Sequence, residues 1–236
     1  SRSALLSSPA PPRPPRANPS GPSVRQKPFP SMASRSALVA LSRAARPRAP
    51  VALAACARLP LQQARTFYGV KGMPIPNIGL HKGFPPEKVM VGDFCKGKKV
   101  VIVGLPGAFT PTCSNKQIPG YLAKEAELKA KGVDAVIIYA VNDGAVIDAW
   151  TKSQNVAEGS MVQILGDPSS ELTRALRVEL DDSRVMGVLG NPRCKRFSML
   201  VDDGVIKAIN VAAAEDDPSG DLRPEVSMVD KMLSDL

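Results

Sequence analysis

The chain has 236 residues, a formal net charge of +9 and a sequence pI near 9.6, but the charge is unevenly spread: residues 1–86 carry 13 Lys and Arg and no acid, and the rest carries 18 against 22 acids. The body is therefore mildly acidic, which argues against nucleic acid as a partner despite the high pI. No apolar run reaches membrane-spanning length, and one His with four Cys and no C-x-x-C argues against the usual zinc sites and any resident metal.

Residues 1–31 are rich in Pro, Ser, Arg and Ala, a composition that cannot offset its ordering entropy and is expected to be disordered. Met32 fits an initiation site, and from it arginines recur among Ala, Leu and Ser as far as "ARTFYG" at 64–69. An acid-free, Arg-rich stretch of this kind has the make-up of an organelle transit peptide, and it lacks the unbroken apolar segment of a secretory signal. The expected destination is the mitochondrion; a plastid, or the cytoplasm if the segment is not a transit peptide, are the alternatives. Cys56 falls in this segment. The expected organisation is a basic N-terminal segment at 1–71 and one folded domain at 72–236.

Within the domain, "GMPIPNIGL" reads as loop or short edge strands, with His81 just beyond it in a loop-like stretch. "KKVVIVGLP" is an apolar run without alternation, a strand buried on both faces. A helix is expected over 115–132, with a kink or break at Pro119 and a C-cap at Gly132. "VDAVIIYAVN" is a second buried strand, "DGAVIDAWTKSQN" a helix in which Trp150 reads as core, and "MVQILGD" a third strand. "DPSSELTRALRVEL" reads as a helix, "KRFSMLVDDGVIKAINV" as a hairpin turning at Asp203-Gly204, and "PEVSMVDKMLSDL" as a closing helix with Val226, Val229 and Leu233 on one face. Strand, helix, strand at this spacing gives parallel βαβ units. The fold class is α/β, a thioredoxin-like fold with a central mixed sheet flanked by helices.

Cys113, in "PGAFTPTCS", follows the end of a buried strand and opens the next helix. Open α/β sheets place ligands at that end of their strands, and a helix start favours an anion. Each familiar use of a cysteine needs a partner. A hydrolase needs a His, and His81 is the sole candidate. A phosphatase loop needs Arg six residues on, where Pro119 stands. Dithiol exchange needs a second nearby Cys, and Asn115 and Lys116 follow instead. Attack on a peroxide oxygen needs none of these; it needs a hydroxyl such as Thr110 and a cation from elsewhere in the fold.

Pro106-x-x-x-Thr110-x-x-Cys113 resembles the active-site pattern of the peroxiredoxins, and "PGAFTPTCS" is similar to their peroxiredoxin-5/type II branch. The likeness continues through "IPGYLAKEAELKAKGV", "AVND" and "KRFSMLVDDGVIKAINV". The resemblance implies a thiol peroxidase for hydrogen peroxide and alkyl hydroperoxides. Cys113 would be the attacking thiol, Thr110 the hydroxyl contacting peroxide, Pro106 a shield against water and Arg196 the active-site arginine. It implies no cofactor, a homodimer, and thioredoxin or glutaredoxin with glutathione as reductant.

The chain departs from that branch in its second thiol. The resemblance implies a resolving cysteine either in the loop before the last helix, where "AAAEDDPSGDLRPEVSM" has none, or in the strand after the first helix, where Ile138 stands. Cys95 is expected to be structural, since ~10 extended residues separate it from the strand end at about 3.3 Å each. Cys194 lies two residues before Arg196; if both share a strand, both side chains take one face, which makes Cys194 a candidate resolving thiol. The simplest expectation is a one-cysteine enzyme. The alternatives are a cysteine hydrolase using His81, and a non-catalytic redox sensor or holdase oxidised once at Cys113.

Overall fold

The computed structural model describes residues 69–236. The expected transit segment therefore lies, but for its last three residues, outside the described residues, as does Cys56. Two short strands, β1 (Gly79–Lys82) and β2 (Glu87–Met90), lead to α1 (Val91–Cys95) and the central strand β3 (Lys99–Leu105). A wide helical turn at Cys113–Gln117 continues into α2 (Ile118–Ala123) and α3 (Glu125–Ala130). Then come β4 (Ala135–Ala140), α4 (Gly144–Ser153), β5 (Val162–Gly166), α5 (Glu171–Ala175), β6 (Glu179–Leu180), α6 (Ser183–Leu189) and β7 (Arg193–Cys194). The chain closes with β8 (Phe197–Asp202), β9 (Val205–Val211), a 3₁₀ turn (Pro224–Ser227) and α7 (Val229–Asp235).

Seven strands form one mixed sheet in the order β2-β1-β5-β4-β3-β8-β9, and β6 and β7 form a separate two-stranded ribbon. β3, β4 and β5 run parallel, and β8 runs antiparallel to β3. The apolar run of β3 splits between two cores. Val100 and Ile102 pack on one face with Ile137, Tyr139 and Leu165. Val101, Val103 and Leu105 pack on the other with Val136, Ile138 and Ile164. A strand covered on both faces needs no polar alternation, which is why its sequence shows none. The thioredoxin-like α/β architecture expected from the βαβ units is the one observed.

Local chemistry accounts for most element ends. Asp143 caps α4 by accepting from the backbone N–H of Ala145 and Val146 at 2.9 and 3.0 Å. Gly132, at φ +79°, ends α3 with the Val133 N–H donating to the Leu128 carbonyl and its own N–H to that of Lys129, a Schellman arrangement. Asp203 and Gly204, at φ +48° and +73°, make the two-residue turn of the expected hairpin.

Several expectations need correction or refinement. His81, expected in a loop-like stretch, is a strand residue paired with Lys88 and Gly166. The helix expected over 115–132 is irregular early, as a wide turn at Cys113–Gln117 that ends just before Pro119, and it breaks a second time at Lys124, with φ −110° and ψ 18°. The helix expected over 167–180 is only five residues long. The Asp167 carboxylate gathers the N–H groups of Glu171 and Thr173 and the Thr173 hydroxyl, and the chain beyond turns into β6. α6 was not anticipated, although Val185, Val188 and Leu189 fall at helical spacing; the helix buries no residue.

Gly104 is fixed by packing. A Cβ there would lie 2.1 Å from the Phe197 ring and 2.7 Å from Cys194 Sγ. Gly104→Ala is expected to destabilise the fold by about 2–3 kcal/mol, read as a lower midpoint in chemical denaturation; an unchanged midpoint would contradict this packing.

Candidate active site

β3 delivers the chain into buried Pro106 and a tight loop. Phe109 holds a left-handed conformation at φ +59°, uncommon for an aromatic residue. The Thr110 hydroxyl donates to the Gly107 carbonyl at 2.9 Å, and the Ser114 N–H donates to the Thr110 carbonyl at 2.9 Å. Helical geometry opens at Pro111, so Cys113 lies in the first turn of the helix. The turn is then widened: the Ile118 N–H reaches back to the Cys113 carbonyl. Pro119 follows directly and has no N–H to give the Asn115 carbonyl, so the regular ladder is interrupted there in any case.

Two buried side chains moor this turn. Gln117 donates through Nε2 to the Ser227 carbonyl at 2.9 Å. Trp150, fully buried as its core reading required, donates through Nε1 to Ser114 Oγ at 3.0 Å, and its ring packs at 6.4 Å from that of Phe109. Asn142 braces the loop from below, its Oδ1 accepting from the Ala108 N–H at 3.0 Å and from Arg193 Nη1 at 3.2 Å. Of these supports only Trp150 was singled out from the sequence, and for burial alone; an Asn or a Gln carries no spacing signal of its own.

Arg196 completes the site. It sits between β7 and β8, its carbonyl accepting from the Ala212 N–H at 2.9 Å. Its side chain is only 1% exposed, and Nη1 lies 3.5 Å from Cys113 Sγ. Nε donates to the Gly220 carbonyl at 3.0 Å, and Nη2 donates to Asp221 Oδ1 at 2.6 Å. A buried guanidinium is thus satisfied on three sides, one of them the thiol. The structure thus brings Arg196 to Cys113, with Thr110 bonded to the backbone of the turn that carries the thiol and Pro106 buried at the start of the same loop.

It does not bring Cys194 with them. The condition for a shared face fails, because Cys194 ends the separate ribbon at β7 and β8 begins only at Phe197. Cys194 packs in the core cluster with Tyr139 and Phe197, whereas Cys113 belongs to the cluster on the opposite face of the sheet. Its thiol lies 3.3 Å from the Tyr139 hydroxyl, and burial pushes its pKa up to about 12. Cys95 is buried in the same cluster as Cys194, in keeping with a structural role. Ile138 pairs in register with Val103 and belongs to the same core cluster as Cys113, so it lies on that face of the sheet and holds no thiol. His81 pairs with Gly166, which lines up through Ala140 with Leu105. Three strand spacings, about 14 Å, separate it from the end of β3. Among the described residues, no group of three or more His, Cys, Asp or Glu is placed to hold a metal.

The family model for Redoxin matches residues 70–232. Peroxiredoxin-2B of Arabidopsis thaliana is 44% identical over 126 residues, covering 53% of this chain and 74% of that protein. The chain belongs to the redoxin family, among the peroxiredoxins. The chloroplastic Peroxiredoxin-2E-2 of Oryza sativa subsp. japonica is also 44% identical over 126 residues, and there the match spans only 55% of the relative's length. The crystal structure of reduced Prx3 in complex with hydrogen peroxide from Vibrio vulnificus superposes with a TM-score of 0.61 at 35% identity, covering 70% of this chain and 94% of that one.

The Cys194 thiol of this peroxiredoxin predicts a pH signature. Its folded pKa lies above the ordinary 9.0. The group's stabilising contribution is therefore complete below pH 9 and is lost as pH rises from 9 towards 12, because the unfolded thiol ionises first. Cys194 alone should lower the unfolding free energy by up to about 1.4 kcal/mol per pH unit in that window, and Cys95, pushed up to about 11 by burial, adds a slope of the same sign. Cys194→Ala should flatten the slope in denaturation series at pH 8 to 10.5, and an equal slope in both proteins would refute the assignment.

Proposed function

We propose that the protein is a thiol peroxidase acting on hydrogen peroxide and small alkyl hydroperoxides, with Cys113 as the attacking thiol. The observation that carries this reading is the buried Arg196 guanidinium 3.5 Å from Cys113 Sγ. A cation there meets the charge that develops on a splitting peroxide bond. Thr110 supports the same reading. Its proton is committed to the Gly107 carbonyl, so its oxygen is free to accept from the peroxide O–H. That contact aims the terminal oxygen at sulfur, while Arg196 donates to the oxygen that will leave.

The thiolate attacks the terminal oxygen, an S–O bond forms and the O–O bond breaks. The sulfur loses two electrons and keeps the transferred oxygen with its hydrogen as sulfenic acid. The leaving oxygen takes the electron pair and a solvent proton, and departs as water or alcohol. A thiol then condenses with the sulfenic acid, releasing water and leaving a mixed disulfide, which a second thiol resolves. Pro106, buried behind the loop, excludes water from the thiolate. The opposite-face placement of Cys194 favours an external thiol, thioredoxin or glutaredoxin with glutathione, over an internal one. The position of His81 leaves the hydrolase reading without a base, and a one-time sensor or holdase would not call for Thr110 and Arg196 at the thiol.

A homodimer belongs to this reading. Phe109 and Leu222, at 55% and 73% exposure, are large apolar side chains neighbouring site residues in the chain, surface that a second copy would cover. Organelle delivery belongs to it too. The name of the rice relative favours the plastid over the mitochondrion first expected from the composition, and residues 1–71 fused to a fluorescent protein would report the destination.

In a coupled assay with either donor, Cys113→Ser should abolish peroxide turnover, and Arg196→Ala should lower it by about 10²–10³-fold. Cys194→Ser should retain most activity, and His81→Ala all of it. Complete loss in Cys194→Ser would overturn the one-cysteine mechanism, and loss in His81→Ala would reinstate the hydrolase.

A further inference from the structure

The loop from Asp217 to Arg223 replaces the expected second thiol with a different device. Arg196 offers a rigid planar fork, and two of its three nitrogens are held by this loop, Nε by the Gly220 carbonyl and Nη2 by Asp221 Oδ1. Fixing two nitrogens of a planar group fixes its plane, and with it the direction of the third. That third nitrogen, Nη1, points at Cys113 Sγ. We propose that Asp221 is a positioning residue for the peroxide reaction: it sets the Arg196 fork against Cys113 without touching the reacting atoms. The inference rests on the peroxidase reading.

The loop is built to hold Asp221 in place. Asp217, 3% exposed, accepts from the backbone N–H of Asp221 through Oδ1 at 3.0 Å. Its Oδ2 accepts from the N–H groups of Leu222 and Arg223 at 2.9 and 3.2 Å. The second oxygen of Asp221 accepts from the Ser219 hydroxyl at 2.9 Å, so the carboxylate is gripped at both ends. Gly220 has φ +69°, and a Cβ there would lie 2.8 Å from Ala212 Cβ and 3.2 Å from Arg196 Cβ. Only glycine lets the loop carbonyl come this close to the arginine. The Asp221 side chain is itself 48% exposed. A half-exposed partner adds little to global stability, so the ion pair acts on orientation and should show in a rate rather than in a melting temperature.

The test compares the full chain with Asp221→Ala and Asp221→Asn by stopped flow. It follows single-turnover oxidation of Cys113 by hydrogen peroxide, with iodoacetamide alkylation of the same thiol and thermal melting in parallel. Alkylation needs the thiolate but not an oriented fork, so it separates positioning from general damage. Asp221→Ala should oxidise about tenfold more slowly or worse, with alkylation and melting little changed. Asp221→Asn, whose amide oxygen still accepts from Nη2, should return to within about threefold of the unmodified chain. Three results would overturn the inference: wild-type oxidation in Asp221→Ala, an equal loss in alkylation, or an Asn variant as slow as the Ala one. If the unmodified chain itself fails to react with peroxide, the peroxidase reading falls and takes this inference with it; if it reacts and Asp221→Ala matches it, only the role of Asp221 falls.

Discussion

A guanidinium almost sealed from solvent must have its donors satisfied, and most of the site is arranged around that demand at Arg196. β8 runs antiparallel to β3, with Phe197 paired to Gly104. The start of β8 therefore meets the end of β3, and the residue before Phe197 is brought to the loop after Leu105. This is how positions 113 and 196, far apart in sequence, come to share one contact. The remaining donors are met by a loop from after β9, so three separate parts of the chain must be in place before the thiol has its cation.

The sheet also divides the thiols by chemistry. On one face, Cys113 meets a cation and sits in a loop moored through Ser114, Ala108 and Gln117. On the other, Cys194 meets Tyr139 and Phe197, and burial, with the Asp167 carboxylate as a lesser cause, raises its pKa. The absence of a side chain at Gly104 is what lets the Cys194 sulfur and the Phe197 ring approach the strand. One strand thus supports a thiol paired with a guanidinium at its end and a thiol sealed in the core against its flank.

The sequence was legible where a local rule decided the outcome. The unbroken apolar runs of β3 and β4, the Asp203-Gly204 turn, the Gly132 cap and the loop around Cys113 all follow from period, turn chemistry or a short motif. It was illegible where tertiary contacts overrode those rules. α5 stops after five residues because Arg177 turns to a left-handed φ of +55° and the Val178 N–H folds back to the Thr173 carbonyl, a choice that a helix-forming composition conceals. The two-residue offset between Cys194 and Arg196 suggested a shared face, but alternation holds only within a strand, and the strand begins one residue after Arg196. Asn142, Asp217 and Asp221 were missed for the same reason. A polar residue in a loop becomes significant through what the fold brings to it.

The missing second thiol has a physical counterpart in the same loop. To bring a thiol to Cys113, the segment between β9 and α7 would have to leave its present position. That would surrender the Gly220 and Asp221 contacts to Arg196 together with three backbone bonds to Asp217. Movement that delivered a resolving group would thus release the cation needed by the next attack. Ile138 offers the other route, on the right face, but holds an alkyl group packed in the core. With one position committed to holding the arginine and the other filled by hydrocarbon, neither place where the resemblance implies a resolving cysteine offers a thiol in this chain.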